Sequence, residues 1–122
     1  MLHVEVLADR RIAVITPDGP LEKADFERLA KEIDPFIASN GKLAGIMICA
    51  KSFPGWTSFG AFVAHLRFVV SHHRQIERIA AVTDSAFLRI MPRIANRLVQ
   101  PDVRHFDFAD KDQALAWLET GR

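Results

Sequence analysis

Five histidines, one cysteine and a small group of hydroxyls are the residues of this 122-residue chain best equipped for chemistry. His65 and His72 fall seven positions apart, about 10 Å along a helix axis, too far to grip one ion. His72 and His73 are adjacent and diverge by about 100° around a helix. With no second cysteine and no acid pair beside them, these residues make no metal set. Cys49 lies in the apolar run LAGIMICA, where a thiol acts as a small hydrophobe rather than a nucleophile. The loop that follows, KSFPGWTSFG, carries Ser52, Thr57 and Ser58 but no G-x-S-x-G elbow, so Ser58 or Thr57 reads as a helix cap. Gly55 and Gly60 fit neither phosphate-binding glycine pattern, and Asp107 with Asp110 mark a strand end and a helix start. No catalytic set, metal or cofactor is expected.

The elements around that loop say more. Leu43–Ala50 is continuously apolar, as a strand covered on both faces must be. A strand that delivers a Gly/Pro/Trp loop to the start of a helix is where α/β proteins usually keep their sites. Upstream, Leu2–Ala8 alternates, Asp9-Arg10 turns, and Arg11–Thr16 returns, a β-hairpin. Leu21–Ser39 has helical period, with Pro35 set to kink or divide it and Asn40-Gly41 to end it. Downstream come a helix Ser58–Ser71, a strand from Gln75 or Ile76 to Thr83, and a helix Ser85–Val99 capped by Asp84 and kinked near Pro92. A short strand Val103–Phe108 and a last helix Lys111–Glu119, capped by Asp110, close the chain. The order β-β-α-β-α-β-α-β-α predicts an α/β fold: an N-terminal hairpin, then repeated βα units on a mostly parallel sheet flanked by helices, as one domain over 1–122.

The helix after the loop has two apolar stripes. Phe59, Phe62, Val63, Leu66, Val69 and Val70 fall within roughly 120° and read as the core face. Opposite them Ala61, His65, Phe68 and His72 form a second stripe, with Phe53 and Trp56 beside it from the loop. Arg67 is the only formal charge from Phe53 to Ser71. Either another element covers the second stripe, or it is a contact face or a pocket wall.

Net charge is +1, so no global field favours nucleic acid or membrane. Its distribution is uneven: Leu43–Pro101 holds seven bases against two acids, a local balance of +5. Arg89, Arg93 and Arg97 recur every four residues and are candidate anion contacts, or the solvated face of an amphipathic helix. No RNP or helix-turn-helix pattern accompanies them, so nucleic acid is not an expected partner. The unpaired cysteine, the lack of a basic leader at the N-terminus and the lack of a membrane-spanning run point to a cytoplasmic protein.

Several strings, in order and spacing, resemble the SpoIIAA-like proteins, small bacterial proteins related in fold to the STAS domain and linked to CRAL-TRIO lipid-binding folds. They are Gly55-Trp56, His72-His73-Arg74 with Ile76-Glu77-Arg78-Ile79-Ala80 behind it, Val103-Arg104-His105-Phe106-Asp107, and Ala114-Leu115-Ala116-Trp117-Leu118. The resemblance implies a five-stranded sheet in sequential order. In anti-sigma antagonists the corresponding loop presents a phosphorylated Asp-Ser pair; here Lys51-Ser52-Phe53-Pro54-Gly55-Trp56 replaces it, so that switch is not carried over. The expectation is a non-catalytic regulatory or protein-interaction module, a homodimer or bound to a protein partner, acting through Phe53, Trp56, Ala61, His65, Phe68 and His72. The alternative is carriage of a lipid-like or other apolar or anionic ligand, which a closed cavity on the order of several hundred Å3 beneath Trp56 would favour.

Overall fold

The computed structural model describes residues 2–122. Strands β1 (Leu2–Leu7) and β2 (Ile12–Pro17) form the hairpin; α1 (Lys23–Asn40), β3 (Leu43–Cys49), α2 (Phe59–His72), β4 (Ile76–Val82), α3 (Ala86–Ala95), β5 (Asp102–Phe106) and α4 (Lys111–Thr120) follow. The sheet order is sequential, β1-β2-β3-β4-β5, with β1 antiparallel to β2 and every other pair parallel. Right-handed crossovers that always step in the same direction put their helices on one face. Accordingly α1 and α2 share a face, and Leu88 of α3 and Val99 just past its end reach the same cavity as Phe26 and Leu29 of α1. Only α4 returns beneath the sheet.

Side-chain alternation assigns each strand residue to a layer. Ile15, Ile46 and Ile79 face α1 and its neighbours, and Ile76, at the very start of β4, packs with them against the alternation. Ile12, Met47, Cys49, Ala80 and Val82 face α4, whose Ala114, Trp117 and Leu118 fill the lower layer. The close approach of α4 depends on Gly45, where an added Cβ would stand 2.5 Å from Leu118 Cδ2.

Local chemistry sets the boundaries, and in places it departs from the sequence reading. The hairpin turn spans four residues rather than two, with Arg11 in the left-handed region at φ 58°. Helix α1 runs through Pro35 unbroken; Glu22 and Asp25 form a reciprocal capping box, and Gly41 ends it at φ 81° with its N–H on the Ile37 carbonyl. Ser58 caps α2, its Oγ accepting from the Ala61 N–H at 3.1 Å. The cap of α3 is Ser85, not Asp84; Asp84 instead accepts from the Phe108 N–H at 3.1 Å. Asp110 makes no side-chain cap, and α3 ends at Ala95, so Arg97 lies beyond the helix. No helix among the described residues is long and apolar enough to cross a membrane.

Candidate functional site

Helix α2 is turned the opposite way from the simplest reading of its hydropathy. Ala61 has no exposed surface and His72 is 8% exposed, whereas Phe59 is 78% and Val70 74% exposed. The stripe Ala61, His65, Phe68, His72 therefore points inward, and Phe59, Leu66 and Val70 point to solvent. Specific pairings set this rotation. The His65 ring stacks on Phe26 of α1, centroids 4.9 Å apart and planes at 13°. Its Nδ1 accepts a hydrogen bond from Trp56 Nε1 at 3.2 Å. Seven residues later His72 stacks on Phe68 at 4.1 Å and places Nε2 2.7 Å from Asp34 Oδ1 of α1. Hydropathy ranks two apolar stripes; hydrogen-bond partners choose between them.

The loop before α2 is tied down at its apex. Leu21 N–H donates to the Gly55 carbonyl at 2.8 Å, and Thr57 N–H donates to the Leu21 carbonyl at 2.9 Å. Gly55, at φ 73°, provides the backbone shape this two-sided bridge needs. Trp56 is thereby held half-buried, edge-on to Phe53 at 5.4 Å and to Phe62 at 4.8 Å.

Behind Trp56, between α1, α2, α3 and the upper face of the sheet, lies a cavity of about 190 Å3. Ile15, Ile46, Ile48, Ile76 and Ile79 form its floor, and Phe26, Leu29, Phe68 and Val69 its helical walls. Phe53, Pro54 and Trp56 line it from the loop, Leu88 from α3 and Val99 from the turn after α3. Apart from His65, His72 and His73 the lining side chains are apolar. Burial without a charged neighbour lowers the pKa of His65 from its ordinary value, so its neutral form is favoured. A wider groove of about 510 Å3 between α1 and α2 is open to solvent and carries Lys23, Glu27 and Arg67 on its walls.

Outside the cavity, α2 and α3 leave an apolar crest. Phe59, Leu66 and Val70 on α2, Phe87, Ile90 and Ile94 on α3, and Leu98 just past its end are exposed. Phe53 meets the α3 group, its ring 4.8 Å from that of Phe87, and meets Trp56 on its other side at 5.4 Å. Arg89, Arg93 and Arg97 are exposed beside it, and Arg89 reaches Asp107 at 3.5 Å.

This combination of hairpin, sequential sheet and three helices on one face is that of a known family. The SpoIIAA-like family model matches residues 12–119. The chain belongs to the SpoIIAA-like family. A solved structure of an uncharacterized protein of the DUF3478 family from Shewanella loihica PV-4, with a SpoIIAA-like fold, superposes with a TM-score of 0.72. The match is 20% identical and covers 97% of this chain and 92% of that one, which establishes a shared fold. None of the curated proteins matches the chain.

In this SpoIIAA-like protein Trp56, His65, Phe68 and His72 come together around one cavity, with Phe53 at its edge, while Ala61 is packed into the core. The arginines lie apart, on the solvent side. Cys49 is on the opposite face of the sheet, its thiol pushed up by burial and only partly offset by Lys111. His105 is engaged locally, its Nε2–H donating to the Thr83 carbonyl at 2.8 Å. Sequence reasoning missed His73, Leu88 and Val99 as wall residues. The sequence signal for His73 was its place at the foot of a helix with a single formal charge.

Proposed function

We propose that this chain is a non-catalytic binding module that holds a small apolar ligand in the cavity behind Trp56. The observation that carries this reading is the cavity itself: an apolar hollow roofed by a helix and bounded by a pinned aromatic loop. Native interiors are close-packed, and unfilled apolar space costs stability unless something occupies it. The polar wall residues are imidazoles only, and no nucleophile or acid pair joins them, so binding is a better account than catalysis. Size sets the ligand. An apolar cavity of about 150 Å3 holds benzene in an engineered protein, so about 190 Å3 suits one ring or a short chain rather than a full-length lipid. The hollow is smaller than the several hundred Å3 expected of a lipid carrier.

The test is a cavity-filling substitution. Val69→Phe places a ring in the hollow from α2. Toluene titrated into the wild type should shift the Trp56 indole resonance saturably, and the variant should lose that response while staying folded. An unchanged response in Val69→Phe would place the ligand elsewhere.

A second reading concerns the crest of α2 and α3. Single exposed apolar residues are ordinary, but so many on two neighbouring helices favour contact with another protein or a second copy of the chain. Light scattering across concentrations, on wild type and on Leu66→Gln/Ile94→Gln, tests self-association. Monomers in both at all concentrations would remove the homodimer and leave a different protein as the partner.

A further inference from the structure

The cavity wall contains one kind of polar group, and its hydrogen bonds fix where the protons stand. His72 is committed, with Nε2 on Asp34 and Nδ1 2.9 Å from the Phe68 carbonyl and 2.8 Å from Ser71 Oγ. His65 and His73 are half committed. An indole N–H only donates, so His65 Nδ1, 3.2 Å from Trp56 Nε1, must be the acceptor. A backbone N–H also only donates, so His73 Nδ1, 2.9 Å from the Gln100 nitrogen, must accept as well. In each neutral ring the proton is therefore on Nε2. Among the described residues neither Nε2–H has a hydrogen-bond acceptor, and no fully buried side-chain nitrogen or oxygen is left unpartnered. Both N–H groups thus stand against open space.

These two donors are not equivalent. They are eight residues apart, about 12 Å along a helix axis, so a one-ring ligand reaches only one of them. His65 is held on both sides, by the stack on Phe26 and by the Trp56 hydrogen bond, so its Nε2–H has a fixed direction. A fixed donor in an apolar setting gains most from an acceptor that brings its own apolar body. His73 sits past the end of α2, where its neighbours Arg74 and Gln75 are exposed and water is at hand.

We propose that the cavity ligand carries a carbonyl oxygen, as a small ketone, aldehyde or carboxylic acid about one aromatic ring in size, and that this oxygen accepts from His65 Nε2–H. This rests on the cavity reading above and names the chemistry of its occupant. Burial lowers the pKa of His65, which keeps the ring a neutral single-proton donor near pH 7 and agrees with the role. A donor-only head group would face the imidazole N–H with no acceptor to meet.

The experiment is a titration of the full chain with ethylbenzene, acetophenone and benzoate, followed by calorimetry and by the Trp56 indole resonance. Ethylbenzene has the body without the oxygen and so tests the cavity alone. Acetophenone or benzoate should bind about three- to tenfold tighter, the range of one net hydrogen bond. The tighter of the two tells a neutral carbonyl from an acid as the source. His65→Phe should bring the carbonyl and ethylbenzene affinities to a ratio near one, compared within the variant, with circular dichroism reporting that it is folded; His73→Phe should retain the wild-type ratio. In the wild type, the His65 Nε2–H resonance should move on adding the tighter carbonyl ligand, and that of His73 should not. No ethylbenzene binding would strike the cavity reading itself. Ethylbenzene binding without a carbonyl preference, or a preference that survives His65→Phe, would overturn the assignment of His65 and leave the cavity reading standing.

Discussion

At the scale of single residues, His65 ties helix α1 to the aromatic loop beside the cavity. It touches α1 through Phe26 and the loop through Trp56, and burial lowers its pKa below the ordinary 6.5. As pH falls through 6.5, the unfolded chain takes up a proton that the folded chain resists, so the unfolded state binds more protons and stability falls. The contribution is fully present above that pH and is lost progressively down to the folded pKa. Denaturant midpoints at pH 7.5 and pH 5 should therefore differ more in the wild type than in His65→Phe; equal slopes would refute the lowered pKa. Gly55 is a second residue with a specific duty. At φ 73° with open space around it, Gly55→Ala should cost about 1 kcal/mol through backbone strain alone, read from urea midpoints.

At the scale of elements, the rotation of α2 decides which residues are wall and which are surface. If the assignment is right, Leu66→Gln and Val70→Gln should change stability by no more than about 0.5 kcal/mol. Ala61→Leu, which adds bulk where no space is exposed, should cost about 1–3 kcal/mol. The reverse ranking would restore the hydropathy-based face. Both stripes were visible in the sequence as apolar, and period alone could not rank them, because the more hydrophobic stripe is the one left outside. What fixes the rotation is an indole N–H meeting an imidazole and a carboxylate on α1 meeting His72, contacts between residues 9 and 38 positions apart. The caps show the same limit: Ser58 was legible because it directly precedes the helix, whereas Asp84 was drawn away by Phe108 N–H from the next connection.

At the scale of the whole molecule, the strand and helix order was legible because each element writes its own period. Leu43–Cys49 is apolar on both faces because α1 and α2 lie over one side and α4 under the other. The lower layer is tightly closed. Gly45→Ala should cost about 1–3 kcal/mol, since its new methyl meets Leu118 Cδ2 at 2.5 Å, and thermal unfolding will read the loss. The upper layer is different: it contains a hollow, and no pattern in a sequence records a volume. A cavity arises from how far α2 stands off the strands once it has docked on α1, which is a property of the assembled fold. The exposed crest on the outside of α2 follows from the same docking, because Phe59, Leu66 and Val70 face away from the hollow while Val69 of the same stripe lines it. The measurement closest to the central claim is a toluene titration of the labelled protein followed by two-dimensional NMR. Saturable shifts confined to Trp56, His65 and the methyls of Ile46, Ile48 and Val69, abolished in Val69→Phe, are the predicted result. Shifts that do not saturate, or that map to the exposed crest and persist in Val69→Phe, would contradict it.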